Sequence, residues 1–535
     1  MSQIKCHTIR LLSFCLGVYF LLGCQENKKS STQTISETKP PNILFAISDD
    51  QSWIHTGAYG DPQIKTPAFD QIAKEGALFN NSFCTSPSCT PSRSSILSGQ
   101  EIWRIRQAGL LHSSIPSDLP LFTHLLADAG YQVGYTGKGW NPGDPSYLGL
   151  KRDPLVKAYN DRLEGRIADG ISDKDYSGNF DAFLEDRKDD EPFFFWFGAR
   201  EPHRGYSQGI GEREAGLKPD LVDVPAFWPD VPLVRTDILD YYYEIMWFDT
   251  HLASMIEKLD EIGELDNTII IVTSDNGMPF PRAKVNLYDW GTHMPLAIRW
   301  GDKIKPGRVV DDFVSHSDFA PTFLEAAGLP IPSEMTGQSL MNIFESEKSG
   351  KIESDRDRVY TALERHTYCR PDGATYPIRA LRTEEYLYIR NFEPDRWPTG
   401  GPDFISSNKT THGDVDACPT KSFMVVKQDE YADEFALGFG KRLGEELYLV
   451  KEDIGQINNL AYDPNYRAVK DSLSSILMSH LKTTGDPRAS GQDPWQDYVY
   501  HQYDGFGTVY NKILPKSVRD RARLRPSHQP KWVIE

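Results

Sequence analysis

Three short apolar runs, each stopping abruptly at a polar cluster, constrain this chain most. Asn42-Ile-Leu-Phe-Ala-Ile-Ser48 runs into Asp49-Asp50. Glu191-Pro-Phe-Phe-Phe-Trp-Phe197 runs into Gly198-Ala-Arg-Glu-Pro-His203. Thr268-Ile-Ile-Ile-Val-Thr-Ser274 runs into Asp275-Asn276-Gly277. Apolar runs this short, without polar alternation, read as strands covered on both faces. Helical patterns fall between them, at Thr66–Phe79, Leu119–Ala129 and Asp237–Ile262. Strands alternating with helices specify an α/β fold. Open sheets of that class bind ligands beyond the C-terminal ends of their strands.

Asp49 and Asp50 therefore sit where a ligand would bind. Adjacent carboxylates repel unless a cation neutralises them, which points to a metal with oxygen ligands. A turn or helix-capping Asp-Asp is the plainer reading of the pair alone. The second acid-and-amide cluster, Asp275-Asn276, tips the choice to a metal. Cys89-Thr-Pro-Ser-Arg93 opens a further helical run. A cysteine there meets unpaired backbone N–H groups and the positive end of the helix dipole. Arg93 returns to the same end one turn later, with a guanidinium fork suited to a planar-oxygen anion. An ordinary thiol at a turn is the alternative for Cys89.

Cys-x-Pro-x-Arg followed by Ser94-Ser-Ile-Leu-Ser-Gly99 resembles the signature of the type I sulfatases. Four other sites resemble that family in the same order: Asp49-Asp50, Gly137-Lys138, Pro202-His203 and Asp275-Asn276-Gly277. The resemblance spans nearly the whole chain after the leader. It implies an alkaline-phosphatase-like α/β fold: a large mixed sheet flanked by helices, plus a smaller α+β domain with an antiparallel sheet. It implies conversion of Cys89 to Cα-formylglycine by a maturation enzyme. It also implies a Ca²⁺ site (Mg²⁺ being the other option) made by Asp49, Asp50, residue 89, Asp275 and Asn276. Arg93 would then hold the hydrated aldehyde, Lys138 and Lys284 would bind sulfuryl oxygens, and His203 would protonate the leaving oxygen. The family usually carries His two residues after the lysine; here Trp140 stands there, and His293 is a candidate for the missing base. Within the family, Gly57-Ala-Tyr59, Glu201-Pro-His-Arg204, Asn286-Leu-Tyr288 and Tyr376-Pro-Ile-Arg379 resemble the sulfamidase branch, the N-sulfoglucosamine sulfohydrolases.

The chain begins with Lys5 and Arg10 ahead of the apolar stretch Leu11–Leu22, too short to span a bilayer. Leu21-Leu-Gly-Cys24 looks like a lipoprotein box. Residues 1–23 are thus expected to be a signal peptide, Cys24 a lipidation site and 24–40 a flexible tether, placing a bacterial lipoprotein at the outer membrane or cell surface. Removing 1–23 takes two positive charges and no acid, so the net charge moves from −18 to −20. So acidic a chain is a poor nucleic-acid binder, and an anionic substrate needs a locally basic cleft. The expected division places a catalytic domain at 41–350 and a C-terminal subdomain at 351–535, ending in a surface-wrapping tail. Of seven cysteines, Cys84, Cys89, Cys369 and Cys418 remain beyond Cys24. Cys369 with Cys418 is the expected disulfide.

The expected activity is hydrolysis of sulfate esters on a sulfated polysaccharide or its oligosaccharides, such as ulvan, carrageenan or host glycosaminoglycan. Arg365, His366, Arg379 and Arg396 are candidates to grip uronate or neighbouring sulfate. Trp140 and Trp397 are candidate sugar-stacking faces. Three other readings stay open: cleavage of N-sulfoglucosamine, phosphodiester or phosphonate hydrolysis on the same fold, and a non-catalytic glycan-binding lipoprotein.

Overall fold

The apolar runs become the middle of a seven-stranded sheet. The computed structural model describes residues 39–188, 190–406, 410–503 and 509–510. The expected signal peptide, Cys24, nearly all of the tether and most of the C-terminal tail lie outside the described residues. Strands β1 (Asn42–Ser48), β2 (Ala77–Phe83), β3 (Gln132–Gly137), β4 (Phe193–Gly198), β5 (Thr268–Ser274), β6 (Leu296–Arg299) and β7 (Arg308–Ser315) pair in the order β3-β4-β1-β5-β6-β2-β7. The neighbours β3, β4, β1 and β5 are mutually parallel; β6 runs antiparallel to both of its neighbours.

Every residue of β1, β4 and β5 is buried, as their unbroken apolarity requires. Alternate residues face opposite layers. Ile43, Phe45 and Ile47 pack with Leu97, Phe122, Phe319 and Phe323, while Leu44 and Ala46 pack with Phe69, Phe180, Phe248 and Met255. Helices therefore cover both faces of the sheet. The longest, Pro232–Glu261, starts five residues before the expected Asp237, because Pro232 occupies the first turn, where no N–H is needed.

The expected helix Thr66–Phe79 ends instead at Glu75, and Ala77 begins β2. Gly76 is the break. A Cβ there would lie 2.0 Å from the Ile298 carbonyl oxygen, so the backbone can pass close to β6 only as glycine.

A second, antiparallel sheet follows: β8 (Arg358–Leu363), β9 (Ile378–Thr383), β10 (Tyr386–Asn391) and β11 (Glu445–Leu449), ordered β11-β10-β9-β8. Leu473, Leu477 and Leu481 of helix Arg467–Thr483 pack on one face, against Ala362, Leu381, Tyr388 and Leu447. The other face packs Leu363, Ile378 and Ile389 against Val285, Leu287 and Tyr288. That contact clamps the segment carrying Lys284. No helix among the described residues is long and apolar enough to cross a membrane.

Candidate active site

Parallel register brings four strand ends to one level. Ser48 pairs with Ser274, Ile47 with Gly198, and Gly198 with Gly137. The next residues, Asp49, Asp275 and Lys138, therefore emerge together. The Asp275 N–H donates to the Ser48 carbonyl at 3.1 Å, and the Asp50 N–H to Asp275 Oδ1 at 3.1 Å. Asp50 sits at φ 76°, in the left-handed region that a non-glycine residue adopts only when its surroundings hold it.

Cys89 enters from the facing helix, Cys89–Ser98, every residue of which is buried. Several polar side chains of that helix are bonded to backbone carbonyls, while Ser92 Oγ is buried without a partner. Thr90 donates to the Pro142 carbonyl at 2.7 Å, and Ser98 to the Ser94 carbonyl at 2.8 Å. Gly99, at φ 64°, ends the helix in the left-handed conformation. Cys89 Sγ lies 3.5 Å from Asp49 Oδ1 and 3.9 Å from Asp50 Oδ1. Burial pushes the thiol well above its ordinary range, and the Asp49 carboxylate adds to the shift.

Cations and carboxylates interleave around that sulfur. Lys138 Nζ bonds Asp49 Oδ2, Lys284 Nζ is 2.7 Å from Asp50 Oδ2, and Arg93 Nε is 2.7 Å from Asp275 Oδ2. Arg93 Nη1 donates to the carbonyls of Lys138 and Gly139 at 2.8 and 2.9 Å. Its Nη2 is buried, makes no hydrogen bond and lies 3.9 Å from Asp49 Oδ1. Burial favours protonation of Asp49, yet Lys138, His203, Arg93 and Lys284 hold its carboxyl far below the usual range. Burial pushes Asp50 well up against the pull of Lys284, with Asp49, Asp275 and Asp416 adding to it.

His203 lies past the end of β4. Its Nδ1 meets the Arg204 carbonyl at 2.8 Å, leaving Nε2 turned inward, 3.8 Å from Asp50 Oδ2. Burial and then Lys284 push the imidazole down to about 4.

Carboxylate oxygens of Asp49, Asp50 and Asp275 lie within 4.8 Å of one another. Asn276 Nδ2 donates to Asp50 Oδ1 at 2.6 Å, while its Oδ1 is buried without a partner. Three gathered carboxylates and an orphaned amide oxygen make an all-oxygen donor set that fits a hard divalent cation.

Other sequence expectations meet the structure unevenly. His366 reaches the site's edge, where its Nδ1 lies 2.8 Å from Ser88 Oγ, next to Cys89. Arg379 does not. It is fully buried between Glu364 at 2.8 Å and Asp486 at 2.6 Å, so its guanidinium is committed inside the fold. Arg365 likewise points into the C-terminal layer, donating to the carbonyls of Gly373 and Tyr498. Arg396 and Trp397 line a separate cavity. Trp140 is core rather than a sugar platform: it is buried, and its Nε1 donates to Ser94 Oγ at 2.6 Å. His293 is stacked between Trp53 and Phe83, with Nε2 at the Asn80 carbonyl, which removes it from the role of base. Cys369 and Cys418 are both free and buried, so the expected disulfide is absent; Cys418 Sγ instead accepts the Lys421 N–H at 3.3 Å, capping a helix.

Asp416 is the site residue that sequence reasoning missed. Its Oδ2 lies 3.2 Å from Lys284 Nζ, and its carboxylate shares a 4.8 Å cluster with Asp50 and His203. Lys284, then His203, hold it well below the usual carboxylate range against burial. Nothing local marks it, since Asp414-Val-Asp416 reads as an ordinary polar loop.

Residues 41–329 match the family described as Sulfatase, and 283–398 match the C-terminal region of N-sulphoglucosamine sulphohydrolase. An ulvan-active sulfatase of Formosa agariphila is 26% identical over 87% of this chain and 86% of its own length. Human N-sulphoglucosamine sulphohydrolase is 29% identical over 86% of this chain and 93% of its own. A protein solved with its substrate D-glucosamine-2-N,6-O-disulfate superposes with a TM-score of 0.62 at 22% identity, covering 85% of this chain and all of that one, which fixes the fold. The chain therefore belongs to the sulfatase family, as a type I sulfuric ester hydrolase close to sulfamidase.

Proposed function

We propose that this protein is an exported, lipid-anchored sulfatase that removes O-sulfate from a polysaccharide or its oligosaccharides, using formylglycine at residue 89 and Ca²⁺. The observation that carries the chemistry is the convergence on Cys89 of carboxylates, an orphaned amide oxygen, two lysines and an imidazole. An unmodified thiol facing Asp49 and Asp50 is a poor nucleophile, because its thiolate would be repelled by both. That favours conversion of Cys89, whose hydrated aldehyde supplies a hydroxyl nucleophile towards sulfur. Asp49, Asp50, Asp275 and Asn276 are the residues that would hold Ca²⁺, which supplies charge neutralisation and polarisation of oxygen.

The remaining side chains divide the work by position. Lys138 and Lys284 offer ammonium groups to the sulfuryl oxygens, in a buried site where such charge acts strongly. Arg93 Nη2, free of hydrogen bonds, lies 3.9 Å from Asp49 Oδ1, the oxygen that Cys89 Sγ approaches at 3.5 Å. His203 Nε2 is placed to deliver a proton to the departing sugar oxygen. With Trp140 in the core and His293 elsewhere, His203 and His366 are the imidazoles left beside residue 89, among the described residues, for the step that restores it.

The polysaccharide reading is supported by the ulvan-active relative and by the expected cell-surface address. Cleavage of N-sulfoglucosamine is the second reading, favoured by the C-terminal match to that hydrolase. Sulfate release from ulvan, carrageenan and heparan oligosaccharides decides between them. Release confined to non-reducing-end N-sulfoglucosamine would establish the second, and release from none of them would remove both.

A further inference from the structure

Beside the segment that carries His366 is a second cavity of about 510 Å³, with Arg370, Arg396, Trp397, Asp403 and Phe404 in its walls. Asp414 ties this cavity to the active site. Its Oδ1 accepts the Thr367 N–H at 2.7 Å and Thr367 Oγ1 at 2.8 Å; its Oδ2 accepts Arg370 Nη2 at 2.8 Å. Thr367 follows His366, and Asp414 precedes the site residue Asp416 by two positions. Arg370 is four residues from His366, a stretch that spans at most ~14 Å even fully extended. One wall of the cavity is thus tied, through Asp414 and four residues of chain, to the loop that carries His366.

Its chemistry is that of anionic carbohydrate recognition. Trp397 offers a large amphipathic ring and Phe404 an apolar wall. Arg396 gives one hydrogen bond, to the Thr375 carbonyl at 2.9 Å, and lies 3.6 Å from Glu393. Its side chain stays 32% exposed, with donors to spare. Lys441 brings another cation to within 5.5 Å of the Trp397 ring centre. Asp403 can accept from sugar hydroxyls. Glu393 and Asp403 balance Arg396 and Lys441, and Asp414 balances Arg370, so an anionic sugar would be held by the unused donors of Arg396 rather than by a net positive field.

Building on the reading of an oligosaccharide sulfatase, we propose that this cavity is a subsite for an anionic sugar unit neighbouring the one that loses sulfate. Trp397 stacks on the sugar, and Arg396 pairs with its carboxylate or sulfate. It is a binding site and takes no part in the chemistry.

The test uses the full chain carrying Cys89→Ala, which cannot turn over. Calorimetry would measure binding of ulvan and heparan sulfate tetrasaccharides and of the matching sulfated monosaccharides, with Trp397→Ala and Arg396→Gln added singly. Each addition should weaken the better-bound tetrasaccharide about tenfold and leave its monosaccharide unmoved. The proposal fails if both ligands weaken equally, if neither changes, or if no tetrasaccharide binds better than its monosaccharide in the Cys89→Ala parent. The O-sulfate reading fails separately, when the unaltered enzyme releases sulfate only from N-sulfoglucosamine. The subsite would then still register on the heparan tetrasaccharide.

Discussion

Asp416 and Lys284 form an ion pair 3.2 Å long, and the same ammonium lies 2.7 Å from Asp50. Two carboxylates from distant loops thus fix one amine. Asp416 acts as a positioning residue through Lys284. Asp416→Asn should lower kcat/KM on a sugar sulfate about tenfold, and Asp416→Glu should recover part of it. A loss that Glu does not recover, accompanied by a lower melting temperature, would make the role purely structural.

The carboxylate cluster predicts a metal-dependent fold stability. Calcium at about 100 times its Kd should stabilise the protein by about 2.7 kcal/mol, read from urea melts. Asp275→Asn should abolish that gain, together with activity. Full activity of the unaltered enzyme after exhaustive chelation would overturn the assignment.

Conversion of Cys89 is checked by mass. The peptide containing residue 89, from protein matured in a host with the converting enzyme, should be lighter by about 18 Da than its thiol form. Cys89→Ala should remove turnover without shifting the melting temperature by more than a degree or two. Full activity in protein whose Cys89 is entirely thiol would refute the mechanism.

Arg379 should matter for stability. Arg379→Met strands Asp486 in the interior, and breaking a buried pair from one side costs about 3–5 kcal/mol. A raised KM at unchanged stability would instead return Arg379 to gripping substrate.

Acid should weaken the fold through its buried histidines. Burial pushes His316 down from 6.5 to about 3, and His293 down to about 4. The unfolded chain takes up these protons first, so stability falls as the pH drops from about 6.5 towards those lower values and is fully present above 6.5. Each group contributes at most about 1.4 kcal/mol per pH unit in that window. His316→Gln should make the decline shallower, as followed by urea melts at stepped pH; an unchanged slope would exclude His316 as a source.

The sequence determined the three central strands and the polar clusters at their ends, because both are local; β2 was hidden in an expected helix. An unbroken apolar run such as Thr268–Ser274 can be stable only when covered on both faces, and the polar residues that follow must stand at its edge. Asp49 and Asp275 were therefore legible as strand-end residues, whereas Lys138 entered only through the family resemblance. The helix at Cys89 was legible from its motif, although its Ser-rich body gives no amphipathic stripe. Only tertiary structure could decide what depends on distant partners. Gly76 ends a helix that would otherwise continue, because β6 passes too close for a Cβ. Arg379 and Arg396 look alike in sequence, yet Glu364 and Asp486 enclose the first, while the second lines a cavity. Asp414 and Asp416, two residues apart, turn to different partners, one to Thr367 and Arg370 and the other to Lys284. A charge takes its role from the group it faces, and across loops that facing is set by packing, which no short stretch of sequence encodes.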